Sequence, residues 1–488
     1  MDKQILKEPI HIEQKAPIKV IRNDFHAILP QETKMPLGPK KIQLLCPAGN
    51  LHKLKIAINY GADAVYGGVS HFSLRSRASL SFDFDTFKEG IDYAHSRGKK
   101  VFATINGFPF NSQIRQVTSH IEKIATLGVD AFIIATIGLL KLARQIAPHI
   151  PVHLSTQANV LNVLDARAFY ELGAKRIVAA REISLKDLIA IKNELPDLEL
   201  EIFVHGSMCF AFSGRCLISA LQSARMPNRG SCANDCRFDY EIYAKSKESD
   251  ALFRLEETPG VGTHIFNSKD LNLSAHLHEI LQSGAVDALK IEGRTKSSYY
   301  AGITARTYKM ALEDFYSNLN ENELKERKKI YNFELHTLKH RGFTDGYIIH
   351  RPYEKLDSQN HDSAISDGSF QVCGEVIESG DKFLCKYSIF LGDEMELVAP
   401  LDTKIPLVDN EIGSIIKRND RFYITFKKLI ATHPESSKIK ELNEVHSGNV
   451  HLISLPIPIC AYAFLRKKMR ENDINRVDDK TEELWAKG

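Results

Sequence analysis

The chain has 488 residues, of which 43% are hydrophobic and 26% charged, with 64 Lys and Arg set against 61 Asp and Glu. A formal net charge of +3 excludes a histone-like polycation and a strongly acidic disordered chain, yet leaves room for a local basic groove. The length implies two or three domains. No apolar run approaches the ~18 residues of a membrane span. The opening Met1-Asp2-Lys3-Gln4-Ile5 lacks an apolar signal core, so the expectation is a cytoplasmic protein with no membrane partner.

Residues 1–40 carry Pro9, Pro17, Pro30, Pro36 and Pro39 without sustained periodicity and read as an N-terminal extension. From Lys41 short apolar runs alternate with amphipathic stretches. The expected strands are Ile42–Cys46, Ala64–Gly67, Val101–Ile105, Ala131–Ile134, Val152–Leu154, Arg176–Val178, Leu200–Val204 and Ala288–Ile291. Helices fit between most of them: Asp85 as cap for Thr86–Arg97, Ser184 as cap for Leu185–Glu194, and Ser298–Asp314 after the eighth strand. Strands and helices alternating at this spacing require a parallel sheet. Eight of them predict an α/β fold, a closed (β/α)8 TIM-like barrel over residues 41–340. An open doubly wound sheet is the competing reading. Between strands seven and eight, Tyr240–Tyr243 and His264–Phe266 read as hairpin arms around a loop containing Pro259-Gly260-Val261-Gly262.

A charged helical segment runs to about Lys339, and residues 341–369 form a polar linker. Residues 370–460 alternate apolar and turn residues, which predicts a C-terminal all-β domain, most simply a small barrel. Residues 461–488 read as a charged tail, frayed from Arg466 and holding the only Trp, Trp485.

Eight cysteines are present, and Cys209, Cys216, Cys232 and Cys236 fall within 28 positions, where even scatter would place about half of one. The spacing C-x6-C-x15-C-x3-C follows strand seven, on the face where barrel enzymes place their chemistry. Thiolates ligate iron–sulfur clusters and structural zinc. Reactive or disulfide-paired cysteines and buried structural thiols are the alternatives. Zinc generally prefers closer pairs at both ends, so the wide first gap favours a cluster. Glycines beside three of the four let the backbone turn around a bulky inorganic core.

Arg294 and Lys296, at the start of the helix after strand eight, suit a phosphate or carboxylate, with solvated turn charges as the alternative. Arg75, Arg77 and Arg181 add cations to the same rim. Gln157 and Asn159, in Ser155-Thr156-Gln157-Ala158-Asn159 after strand five, offer neutral hydrogen bonds to a base or small acid, or else cap a helix. His205 follows strand seven and is a candidate acid or base, with Glu201 as the second catalytic candidate. The alternative for a lone strand-end histidine is a hydrogen-bonded structural role. Neither H-E-x-x-H nor G-x-S-x-G occurs.

The run Glu201-Ile202-Phe203-Val204-His205-Gly206-Ser207-Met208-Cys209 through Gly214-Arg215-Cys216-Leu217-Ile218-Ser219 resembles the signature of the collagenase-like peptidase family. The likeness extends to Cys46-Pro47-Ala48-Gly49, Tyr60-Gly61-Ala62-Asp63-Ala64-Val65-Tyr66, Gln157-Ala158-Asn159 and Ala288-Leu289-Lys290-Ile291-Glu292-Gly293-Arg294-Thr295-Lys296-Ser297. Within that family the chain is most similar to the branch that hydroxylates tRNA. The resemblance implies formation of 5-hydroxyuridine at the tRNA wobble position, by an oxygen-independent route that requires prephenate. It also implies a 4Fe-4S cluster on Cys209, Cys216, Cys232 and Cys236. Alternatives are a collagenase-like peptidase, a hydroxylase of another RNA or of a quinone precursor, and a non-catalytic RNA-binding protein.

Overall fold

The computed structural model describes residues 40–69, 72–74, 81–238, 240, 242–245, 252–255, 267–350, 358–360, 366, 368–448 and 450–469. The expected N-terminal extension up to residue 39, Arg75, Arg77, the arm His264–Phe266 with the preceding Pro-Gly loop, and the tail beyond residue 469 lie outside the described residues.

Seven parallel strands follow one another round the barrel: β1 (Gln43–Pro47), β2 (Ala64–Gly67), β3 (Lys100–Ile105), β4 (Ala131–Ile134), β5 (Val152–Leu154), β6 (Ala174–Val178) and β7 (Glu199–Ser207). A short hairpin, β8 (Ile242–Lys245) with β9 (Leu252–Leu255), interrupts the rhythm. It is followed by β10 (Asp270–Asn272), β11 (Ala288–Ile291) and β12 (Phe343–Thr344). Strand β11 pairs in parallel with both β7 and β1, which closes the eight-stranded barrel. The strand that pairs with β8 is Leu252–Leu255, a β-prone run hidden in a charged stretch.

The helices are α1 (Leu51–Asn59), α2 (Phe84–His95), α3 (Ile114–Thr126), α4 (Ile137–Ile146), α5 (Val163–Glu171), α6 (Leu185–Glu194), α7 (Ile218–Ser223), α8 (Leu277–Gln282), α9 (Ser298–Tyr316) and α10 (Glu321–His336). Most of those round the barrel begin on a short polar side chain that accepts an otherwise unpaired N–H: Asn50, Asp83, Thr136, Asn162, Ser184 and Ser297. At α2 the cap is Asp83 rather than Asp85, because only Asp83 has Thr86 three residues on to complete a reciprocal capping box. No described helix is long and apolar enough to cross a membrane.

Strand β7 is the longest of the barrel because its C-terminal end outruns its neighbours and pairs antiparallel with β10, Asp270 opposite Ser207 and Asn272 opposite His205. Strands β10 and β12 were not anticipated; at three and two residues they carry no periodicity to read.

The C-terminal region is an antiparallel sheet of ten strands wrapped round its own apolar core, which includes Phe383, Met395, Ile424, Phe426 and Leu465. Its centre is the strand Phe464–Lys468, between Phe370–Val376 and Glu394–Val398. The expected frayed tail thus begins later than its charge suggested. Arg466 is fully buried because two carboxylates surround it: Nε and one terminal nitrogen reach Glu396, and both terminal nitrogens reach Glu334 of α10, at 2.9–3.2 Å. Tyr299 and Thr337 also accept from it. The Tyr60 hydroxyl, donating to the carbonyl oxygens of Tyr462 and Val398, adds a second tie between sheet and barrel.

Candidate functional site

The C-terminal ends of the barrel strands converge on one cavity. Its floor is formed by Lys290 of β11, Tyr66 of β2, Phe203 of β7 and Ile133 of β4, and its roof by the segment from Ser207 to Arg237. All four clustered cysteines, Cys209, Cys216, Cys232 and Cys236, line it. None is in a disulfide.

The roof owes its path to local backbone requirements. Gly214 has φ +79°, and a side chain there would press on Gln157, whose Cγ lies 3.0 Å from the place a Cβ would take. Asn159, itself left-handed at φ 57°, donates through Nδ2 to the carbonyl of Gln157 and, at 3.4 Å, to that of Ser213. The Ser219 hydroxyl receives the Ala233 N–H and lies 3.9 Å from the Cys232 sulfur. Burial pushes the Cys236 thiol up, and the other three cysteines push it further, with only Arg237 opposing. The other three cysteines therefore lie near enough to Cys236 to act on it.

An all-thiolate donor set on a turning, glycine-containing segment has the chemistry that an iron–sulfur cluster takes. Among the described residues, no three His, Cys, Asp or Glu side chains are gathered closely enough to hold a metal ion as they stand.

Beneath the roof cations predominate, with Glu292 the one carboxylate in the lining. Arg181 lies over the Phe203 ring at 4.1 Å, donates to Ser213 and faces Glu292 at 3.6 Å. Arg294 donates to Ser73 at 2.6 Å, to Thr104 at 2.8 Å and to the carbonyl of Leu74. Gln157 is locked by Asn106 and Ser155: its Oε1 accepts from both, and its Nε2 donates to the Asn106 carbonyl. Arg181, Arg294 and Gln157 line the cavity; Asn159 and Lys296 stand outside that lining, Asn159 bracing the roof and Lys296 beside Tyr300.

Sequence reasoning missed Lys290. Its ammonium is buried, donates to Glu201 at 2.8 Å and lies 4.5 Å from the centre of the Tyr66 ring. Glu201, with no exposed surface, gives its other oxygen to Arg176 at 2.9 Å. Burial alone would raise the Glu201 carboxyl, but the two cations outweigh it and hold it below the usual range. Burial lowers the Lys290 ammonium, and Glu201 only partly restores it. Glu201 is thus part of an ionic floor, with Lys290 between it and the cavity. The available signal was a lysine and a glutamate, each inside an apolar parallel strand, on strands that pair with Glu201 opposite Ala288. Charges so placed require partners.

His205 does not reach the cavity. It lies where β7 leaves the barrel, and its ring is packed among Tyr300, Tyr308 and Phe343 at centroid distances of 5.5–5.8 Å. Burial holds its pKa down to about 3, so the imidazole is neutral. The physical reason is an irregularity in β7: Lys290 pairs with Phe203 but Ile291 with His205, so the register slips by one residue and His205 leaves the face that Glu201 and Phe203 share.

Residues 49–358 match the family model for peptidase family U32. The chain belongs to that family. It is 61% identical over 430 residues to tRNA hydroxylation protein P of Helicobacter pylori strain 26695, covering 88% of this chain and 99% of that one. It is 34% identical over 407 residues to tRNA hydroxylation protein P of Escherichia coli K12, covering 74% and 86% respectively. The 23S rRNA 5-hydroxycytidine C2501 synthase of the same organism is 32% identical, over 64% of this chain and 46% of that one.

Proposed function

We propose that this family member is a tRNA hydroxylase that forms 5-hydroxyuridine at the wobble position, acting in the cytoplasm with a 4Fe-4S cluster and prephenate. The observation that carries the reading is the pairing of four cysteines in the roof of one cavity with a buried ammonium and two guanidinium groups below them. The relatives named for tRNA hydroxylation, one of them similar over almost its whole length, support the substrate class.

Cys209, Cys216, Cys232 and Cys236 hold the cluster, which when bound supplies electron transfer or a Lewis-acid site. The protein's own groups do the rest. Lys290, with Arg181 and Arg294 above it, receives the carboxylates of the small acid, since charge-assisted bonds to a carboxylate are strongest where water is excluded. Gln157, held rigid by Asn106 and Ser155, presents its amide edge without reorganising. The Phe203 and Tyr66 rings exclude water from the floor.

Peptide hydrolysis by a Cys–His pair gains no support, because no histidine lines the cavity among the described residues. The test is iron and acid-labile sulfide content of protein purified without oxygen, together with mass spectrometry of tRNA nucleosides from a deletion strain carrying each Cys→Ala variant. Loss of both cluster and 5-hydroxyuridine in every variant is the expected result. Zinc in place of iron, or 5-hydroxyuridine unchanged in all four variants, overturns the reading.

A further inference from the structure

The rim of the cavity exposes more aromatic surface than a solvated loop needs. Phe210, Phe212 and Phe238 of the roof segment, and Phe110 of the loop after β3, are each about half exposed, and Leu221 is 82% exposed. Phe238 directly follows Arg237, which lines the cavity. Phe210 and Phe212 line the cavity itself. The two loops are joined by the Phe108 N–H donating to the Asn228 carbonyl and by Arg229 donating to Gln113, and the Arg229 guanidinium lies 4.3 Å from the Phe110 ring centre. Exposed apolar surface gathered at a cavity mouth marks a contact site.

Its charge is one-sided. Between Ser207 and Phe238 the sequence has Arg215, Arg225, Arg229 and Arg237 and a single acid, Asp235. Asp235 is buried and accepts from Ser223, so it adds nothing to the outer face. Phenylalanine rings interleaved with arginines are the composition that binds single-stranded nucleic acid, the rings stacking bases and the guanidinium groups tracking phosphates. The depth of the site adds a constraint. Lys290 and Tyr66 lie within the barrel wall, below a roof of some thirty residues, and a base held in a duplex cannot reach them without leaving its stack.

Resting on the proposed reading of this site, whose wobble-position substrate is an unpaired loop, we infer that this aromatic and arginine-bearing rim is the surface that receives the loop. One nucleotide enters the cavity, and its neighbours stack on Phe110 and Phe238, with Arg215, Arg225 and Arg229 on the flanking phosphates.

The experiment measures fluorescence anisotropy of cluster-containing protein with a labelled RNA stem-loop bearing unpaired uridines, and with a fully paired duplex of the same composition. The wild type favours the stem-loop. Phe110→Leu and Phe238→Leu, which keep apolar bulk but lose the ring, weaken stem-loop binding at least fivefold, and Phe110→Tyr retains it. Arg215→Gln reduces the salt slope of binding by about 0.7. KM for tRNA rises in the same order as the dissociation constants. Equal binding of duplex and stem-loop, or leucine variants that bind like the wild type, overturns the inference, and the latter result with hydroxylation intact leaves the proposed function standing. A wild type that binds the stem-loop through these rings but hydroxylates no tRNA removes the function and keeps the surface.

Discussion

Two of the ion clusters buried in this molecule are built differently. At the junction of barrel and C-terminal sheet, Arg466 places all three guanidinium nitrogens on two carboxylates, with Tyr299 and Thr337 filling the remaining positions. At the barrel floor, Glu201 is shared between Arg176 and Lys290, and the Lys290 ammonium, with three N–H donors, spends one on Glu201 and faces the cavity. A saturated cluster can only hold parts together. A cluster with an open donor is ready to take a ligand.

The junction is the place to break this contrast hardest. Arg466→Ala leaves two buried carboxylates, Glu334 and Glu396, sharing only the partly exposed Arg421, so equilibrium denaturation is expected to show a loss of about 3–5 kcal/mol. At the floor, Lys290→Met leaves Glu201 with Arg176 and costs less, about 1–3 kcal/mol. It nevertheless abolishes 5-hydroxyuridine in a complemented deletion strain. Adding Glu201→Gln recovers stability but not hydroxylation; recovery of both would make the floor purely structural.

His205 sharpens the comparison as a buried group held neutral. Unfolded, its imidazole takes up a proton near pH 6.5; folded, only near 3. Between those values the unfolded state binds more protons, so stability falls as pH falls, by about 1.4 kcal/mol per pH unit. His205→Phe removes that part of the slope, as urea titrations between pH 4 and pH 7 would show. The smallest effect is expected on the surface. Lys329→Ala breaks an exposed pair with Glu326 and leaves the thermal midpoint unchanged.

The barrel was legible because each parallel strand is a short apolar run and its helices carry polar caps; Ala64–Gly67, Ala131–Ile134, Val152–Leu154 and Ala288–Ile291 fall where they were expected. The convergence of the cysteines on the strand ends followed from their place after β7. What could not be read was which way a side chain faces and what it meets. His205 and Glu201 are close neighbours on one strand, yet one points towards α9 and the other into the barrel. Arg466 looked solvated because its charge is plain in the sequence and its carboxylates lie 70 and 132 residues away. Lys290 shows no role in the sequence, since the carboxylate it bonds belongs to another strand.

The position of Phe464–Lys468 at the heart of its sheet has a consequence for synthesis. The barrel's eight strands are complete once Ile291 has emerged, so it can close on the ribosome, whereas the C-terminal sheet has its two halves waiting for a strand that is translated after every other strand described. At elongation rates of about 5–20 residues per second, the interval from Phe370 to Phe464 is roughly 5–20 s, during which the edges of Phe370–Val376 and Glu394–Val398 have no neighbour between them. Arg466 arrives with that strand. The residue that fills the gap also delivers the cation for Glu334, so completing the sheet and docking it to the finished barrel become one event, and a chain cut short before it would present an open edge to the cell's proteases.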